Sequence, residues 1–334
     1  MAKADRTLSP AGRLPMPARF QALGQTYGAA LALLALIIYN IGFTPFFLNP
    51  ATVNSNLTQV APVVIVAVGM TLVIATGGID LSVGALMAVA GALAPLIFLN
   101  TLLPSDYPFI GIGLALIVPV LVAGAFGLFN GSLVAYFKIQ PIIATLVLFI
   151  AGRGIAQVVT NGRLQNFTNP GFQYIGIGRP FGLPFQVILM VVIVAALAWA
   201  MRATTFGRYV LAVGGNEAAA RLAGVPVTRI KLAVYGISGL LAGLAGLIAI
   251  AINASSDANS VGLDMELDAI ASVAVGGTPL TGGRATVIGT LIGALIIQLI
   301  RYTLLAHGIP DAVARIVKAA IILAAVYIQR QRRA

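Results

Sequence analysis

Residues 76–84 read Thr-Gly-Gly-Ile-Asp-Leu-Ser-Val-Gly, and the aspartate at position 80 stands between two long apolar runs. The chain around it has a mean hydropathy of +1.00. A carboxylate at bilayer depth costs about 2.5–3.5 kcal/mol even on the lower estimates. The pair Gly77–Gly78 marks an interruption of helix, and irregular backbone survives at that depth only where protein or water surrounds it. The stretch predicts an all-α polytopic membrane protein with some helices broken, and a route for something polar beside the break.

Composition supports that class. Of 334 residues, 59% are hydrophobic and 9% charged, against roughly 25% charged in an ordinary soluble domain. A soluble core of this size needs a polar shell that the chain does not contain, so it must meet membrane lipid. There is no cysteine, and the single histidine is His307. Disulfides, thiolate metal sites and histidine-based metal sites are therefore not expected. A net charge of +11 would point to nucleic acid in a soluble protein. Here the basic residues gather beside apolar runs and read as topology signals, so nucleic acid is not an expected partner.

Runs long enough to cross a bilayer, about 20 residues, occur near 27–47, 58–76, 81–99, 109–135, 141–160, 184–201, 232–254, 285–305 and 311–329. A shorter run at 267–277 makes a tenth, and short runs are candidates for half-helices. The domain reading is a cytoplasmic tail at 1–26, a transmembrane region at 27–329 and a second cytoplasmic tail at 330–334. The first tail carries Lys3, Arg6, Arg13 and Arg19, and the second Arg330, Arg332 and Arg333. Both on the cytoplasmic side require an even number of spans. With ten, the segment 202–231, which holds Arg202, Arg208, Arg221, Arg229 and Lys231, is also cytoplasmic. The loop 161–183 then faces outside. The polar, proline-containing tail without a small-residue cleavage site makes the first run an anchor rather than a removed signal peptide.

Ala75–Gly84 has an echo in Ala274–Gly283, Ala-Val-Gly-Gly-Thr-Pro-Leu-Thr-Gly-Gly, which pairs Gly77 and Gly78 with Gly276 and Gly277. A duplicated hairpin and chance similarity among glycine-rich spans both account for it. The relative orientation of the two stays open.

Two places stand out for function. At the first break, Thr76, Gly77, Gly78, Asp80 and Ser82, with Gly276, Gly277 and Thr281 of the echo, offer hydroxyls and free backbone groups to a hydroxyl-rich solute. Asp80 equally fits as the cap of a helix beginning near Ser82. Asn130, Arg153, Gln157 and Gln298 lie inside apolar runs, where they line a path or tie helices together. Arg153 leans toward function, because an intramembrane arginine is expensive. Trp199 reads as an interfacial anchor and His307 as a turn residue. The second place is Val213–Pro226. Asn216 is a good N-cap, Glu217 sits at the positive helix end and pairs with Arg221, and Gly224 then Pro226 stop the helix. About two turns cannot stand alone, so this helix packs on its own membrane domain or on a soluble partner.

These motifs carry a resemblance. TGGIDLSVG, GGNEAAARLAGV and Glu266–Arg284 (ELDAIASVAVGGTPLTGGR) are similar to the permease subunits of ribose- and galactose-type sugar ABC importers, over nearly the whole chain after Tyr27. Lys138–Gln157 most resembles one of the paired permeases of galactofuranose importers. The resemblance implies a subunit acting with a second permease, the same or related. It also implies a periplasmic sugar-binding protein and a cytoplasmic ATPase subunit that carries the ATP and magnesium. Gly214, Gly215, Asn216, Glu217, Ala218, Ala219, Arg221 and Gly224 would then form the coupling surface for the ATPase. The chain has no G-x-x-x-x-G-K-[ST] of its own, so a P-loop is absent and energy comes from a partner. The resemblance implies translocation of a monosaccharide across the bacterial inner membrane by a subunit that is not an enzyme. A self-sufficient secondary transporter or channel is the alternative, and would need ion-coupling acids in the spans, of which Asp80 is the one candidate. A membrane-embedded enzyme would need a nucleophile–base pair or metal ligands that the sequence does not offer.

Overall fold

A computed structural model describes residues 18–99, 108–317 and 319–321. Of the two charged tails, residues 1–17 of the first (1–26) and the whole of the second (330–334) lie outside the described residues. The helices are α1 (Ala18–Phe43), α2 (Pro50–Ala75), α3 (Val83–Phe98), α4 (Pro108–Ala135), α5 (Pro141–Val159) and α6 (Pro170–Ile177). They continue with α7 (Phe185–Ala203), α8 (Thr205–Gly215), α9 (Glu217–Leu222), α10 (Val227–Asn253), α11 (Met265–Val275) and α12 (Val287–Ala306). A further helical stretch occupies 311–317. The two-residue strands β1 (Gln165–Asn166) and β2 (Ser255–Ser256) pair antiparallel. They tie the α5–α6 connection to the one that follows α10.

Six of these helices, α2, α4, α5, α7, α10 and α12, are long and apolar enough to cross a membrane. The expectation of about ten spans is not reached by full-length helices among the described residues. Gly28–Phe43 of α1 and Val83–Phe98 are apolar but shorter, and α11 has 11 residues. The physical reason is visible in the packing: α3 and α11 begin inside the protein, where neighbours can cover their free ends. The run at 311–329 falls partly outside the described residues.

Two helices form the centre. In α2 and α10 the most apolar windows are 78% and 72% buried, whereas α7 is 22% buried. A helix apolar all round is either buried in protein or facing lipid, and here the two cases coexist. Val191, Val192, Ile150 and Leu121 remain exposed, as they should where hydrocarbon replaces water. The α4–α10 contact depends on small residues. A side chain at Gly127 would strike the Tyr235 carbonyl, and one at Gly239 the Ala123 carbonyl. Close backbone approach is how helices gain dispersion contact in lipid, where no hydrophobic force drives them together.

The echo is real in the backbone but shifted by one residue from the sequence alignment. Thr76 N donates to Leu72 O, Gly77 N to Ile74 O and Gly78 N to Val73 O; Gly276 N donates to Ser272 O, Gly277 N to Ala274 O and Thr278 N to Val273 O. Gly77 therefore corresponds to Gly277, not to Gly276. Both have left-handed backbone, φ 81° and 88°, which a non-glycine residue enters only at a steric cost. Backbone handedness, not residue matching, sets the correspondence. The two breaks also lie side by side, because Gly283 N donates to Ala75 O at 3.0 Å. From there α12 runs back antiparallel to α2, with Thr71 opposite Thr290 and Gln59 opposite Gln298.

Candidate functional site

Asp80 is at the centre of a buried polar knot and is fully buried itself. Its Oδ1 accepts from Ser82 N at 3.0 Å and Ser82 Oγ at 2.6 Å, and its Oδ2 accepts from Ser238 Oγ of α10 at 2.9 Å. Asn130 of α4 donates to Ser82 Oγ at 2.9 Å. Thr145 of α5 accepts from Leu81 N at 3.1 Å. One seven-residue break is thus held by α4, α5 and α10 together. The capping idea is met only in part. Asp80 takes the amide of Ser82, the N-cap residue of α3, while no side chain caps the first turn itself. Thr76 turns its hydroxyl back to Val73 O at 2.7 Å, so it serves its own helix end.

Arg153 and Gln157 belong to a second cluster. Arg153 Nη1 donates to the carbonyls of Ala258 at 2.9 Å and Val261 at 2.6 Å, and Gln157 Nε2 donates to Asn259 Oδ1 at 2.7 Å. Together they clasp the connection between α10 and α11. Just beyond that connection, in the first turn of α11, lies Glu266, which is 6% exposed and whose Oε2 has no hydrogen-bond partner among the described residues. A side chain on Gly84 would lie 2.5 Å from that oxygen, so the starts of α3 and α11 meet there. Glu266, Ser238 and Thr145 were not singled out from the sequence. An acid opening a short apolar run was a usable signal for Glu266, whereas nothing local distinguished Ser238 from other hydroxyls on apolar helices.

At the echo break, Thr278 and Thr286 replace the acid. Thr278 Oγ1 accepts from Thr286 N at 3.0 Å, and Thr286 Oγ1 donates to Gly276 O at 3.0 Å. Thr281 has no role in that pair.

The third element is α8–α9. Asn216 Oδ1 accepts from Ala219 N at 3.0 Å, Arg221 pairs with Glu217 at 3.1 Å, and Gly224 has φ 80°. Lys231 of α10 adds a bond to Glu217 at 2.6 Å and anchors the short helix to its membrane domain. This bond is the main reason the Glu217 carboxyl is held below its ordinary value of 4.5; Arg221 adds to it and partial burial opposes it. Ala218 and Ala219 are exposed and Ala220 is buried. The end of α8 sits directly on both breaks, because a side chain at Gly214 would collide with the Ala75 carbonyl and crowd Gly283 N. The structure therefore joins Thr76–Ser82, Asn130, Gly276–Gly277 and Gly214–Gly215 into one contiguous region. Arg153 and Gln157 sit apart from it.

Residues 52–326 match the family described as branched-chain amino acid transport system / permease component. The galactofuranose transporter permease protein YtfT of Escherichia coli is 43% identical over 276 residues, covering 83% of this chain and 79% of its own. The ribose import permease protein RbsC of the same species is 42% identical over 310 residues, covering 90% and 92%. The fructose import permease protein FruF of Bifidobacterium longum is 38% identical over 257 residues, covering 76% and 70%. No solved structure matches. The chain belongs to this permease-component family, and it is a permease subunit of an ABC importer, not an enzyme.

Proposed function

We propose that this chain is one of two permease subunits through which a monosaccharide, of the galactofuranose, galactose or ribose kind, crosses the bacterial inner membrane. ATP is hydrolysed on separate cytoplasmic ATPase subunits, and a periplasmic binding protein delivers the sugar. The relatives named above are sugar permeases by name, which favours sugar over the amino acids in the family description. In this reading 202–231 and both termini are cytoplasmic, and Asn216–Gly224 docks on the ATPase.

The observation that carries the reading is the backbone contact of Gly214 with Ala75 and Gly283. A six-residue helix cannot hold itself by propensity, and Glu217 binds this one to α10 through Lys231. A force on α9 reaches the two helix breaks through main chain, with no side chain to absorb it. Asp80 then acts as a positioning residue, its carboxylate joining Ser82 at the break to Ser238 of α10. Uptake of labelled sugar by the reconstituted transporter tests this. Ala219→Trp obstructs docking on an exposed face and is expected to lower transport and ATPase association about tenfold, equivalent to roughly 1.4 kcal/mol, at unchanged membrane abundance. Undiminished ATPase binding would remove the coupling assignment.

A further inference from the structure

We infer that the open-sided cavity bordered by α2, α10, α11, α12 and the helical stretch from residue 311 is a binding chamber for a small neutral polyol, the entry subsite of the translocated solute. It rests on the transport reading above. The cavity measures about 600 Å³, within the roughly 300–1,000 Å³ of ordinary small-molecule sites.

Its lining fits that ligand class. The inner wall carries Gln59 and Gln298 from α2 and α12, joined by a bond of 3.1 Å from Gln298 Nε2 to Gln59 Oε1. Two glutamines between membrane-crossing helices can be no more than a tie of modest energy. Here, however, they adjoin open volume and a charged rim. Arg301 binds Asp311 at 2.9 Å, and Arg315 reaches Asp311 at 3.3 Å and Asp264 at 3.5 Å. Asp268 lines the same space. Three carboxylates against two guanidiniums leave little net charge, so the rim does not select strongly for an ion. Alternating donors and acceptors suit vicinal hydroxyls, which do both. Pro62, Val63 and Ile297 give the apolar surface that the C–H face of a sugar ring needs.

Position supports entry. The lining residues Ala249, Ile252 and Asn253 close the end of α10 opposite to α9, about 40 Å away at 1.5 Å per residue. Met265 and Asp264 place the chamber against the start of α11, next to the meeting point of α3 and α11. A solute bound there lies on the far side of the protein from the proposed ATPase surface.

The absence of native cysteine makes the test direct. Gln298→Cys is introduced and the assembled transporter in intact cells is treated with a membrane-impermeant methanethiosulfonate. D-ribose and D-galactose serve as probes. The expected result is modification from outside, slowed severalfold by the transported sugar, together with loss of uptake after modification. A second variant, Gln298→Leu, is expected to raise the KM for uptake at normal membrane abundance. Lack of modification from outside, or modification that neither sugar slows while the unmodified cells transport it, would overturn the chamber and leave the transport reading intact. Absence of uptake by the native chain with its partners would instead overturn the transport reading, and the chamber with it.

Discussion

The chain breaks twice in the same way, after α2 and after α11, and fills the two breaks differently. The terminal hydrogen bonds match residue for residue, from Leu72–Gly78 to Ser272–Thr278. The first break then buries a carboxylate against three other helices, while the second closes on itself through Thr278 and Thr286. Backbone geometry is therefore the shared device, and the buried charge is the addition. The second break is tied to the first through main chain, Gly283 N to Ala75 O, but its side-chain bonds stay within residues 276–286. A break whose acid is bonded to Ser238 and surrounded by Asn130 and Thr145 cannot move without moving α10, α4 and α5.

The largest effect is expected at Asp80. Asp80→Ala leaves the amide and hydroxyl of Ser82 and the hydroxyl of Ser238 without their acceptor in a fully buried site. Each orphaned group costs about 1–3 kcal/mol. Membrane abundance and transport should both fall severely, whereas Asp80→Asn keeps one acceptor oxygen and should retain part of each. Uptake normalised to abundance decides this, and full activity of Asp80→Ala would dissolve the contrast between the breaks.

At the second break the corresponding loss is smaller. Thr278→Val removes the acceptor for Thr286 N but touches no distant helix, so a destabilisation of about 1 kcal/mol is expected. A thermal unfolding series in detergent should place it well above Asp80→Ala in stability. The backbone itself should behave alike in both. Gly77→Ala and Gly277→Ala each force a left-handed residue into a poorly populated region, at about 1 kcal/mol or slightly more. Neither position has a neighbour closer than 3.8 Å to an added Cβ, so strain alone is measured. Equal shifts in melting temperature would confirm the one-residue correction of the correspondence, and a silent Gly277→Ala would refute it.

The smallest effect concerns the helix that rests on both breaks. The Glu217 carboxyl is held low chiefly by the Lys231 bond. Its contribution to anchoring α9 is complete above the ordinary value of 4.5 and is lost as pH falls through the lower folded value. The side chain is 44% exposed, so water screens the pair and the contribution is about 0.2–1 kcal/mol. Hydrogen-exchange protection in 217–222, corrected for the intrinsic slowing of exchange in acid, should fall below pH 4.5 in the native chain, and Glu217→Gln should remove that dependence without altering protection around Asp80.

The amino-acid sequence determined the membrane class, the helical character, the broken hairpin at Asp80 and the capped helix beginning at Glu217, because these depend on composition and on neighbours within a few residues. Asn216, Glu217, Arg221 and Gly224 are all local signals, and their bonding follows from spacing alone. Tertiary structure decided the partners of Asp80, since Ser238 lies far along the chain and only packing of α10 against the break brings its hydroxyl there. It also decided that α3 and α11 start inside the protein. Hydropathy measures how apolar a segment is and not whether protein or lipid covers it, so a half-helix and a full span read alike. The pairing of Gly77 with Gly277, the approach of Gly214 to both breaks and the placing of Glu266 beside Gly84 likewise come from backbone handedness and close contact, which a string of residues does not encode one position at a time.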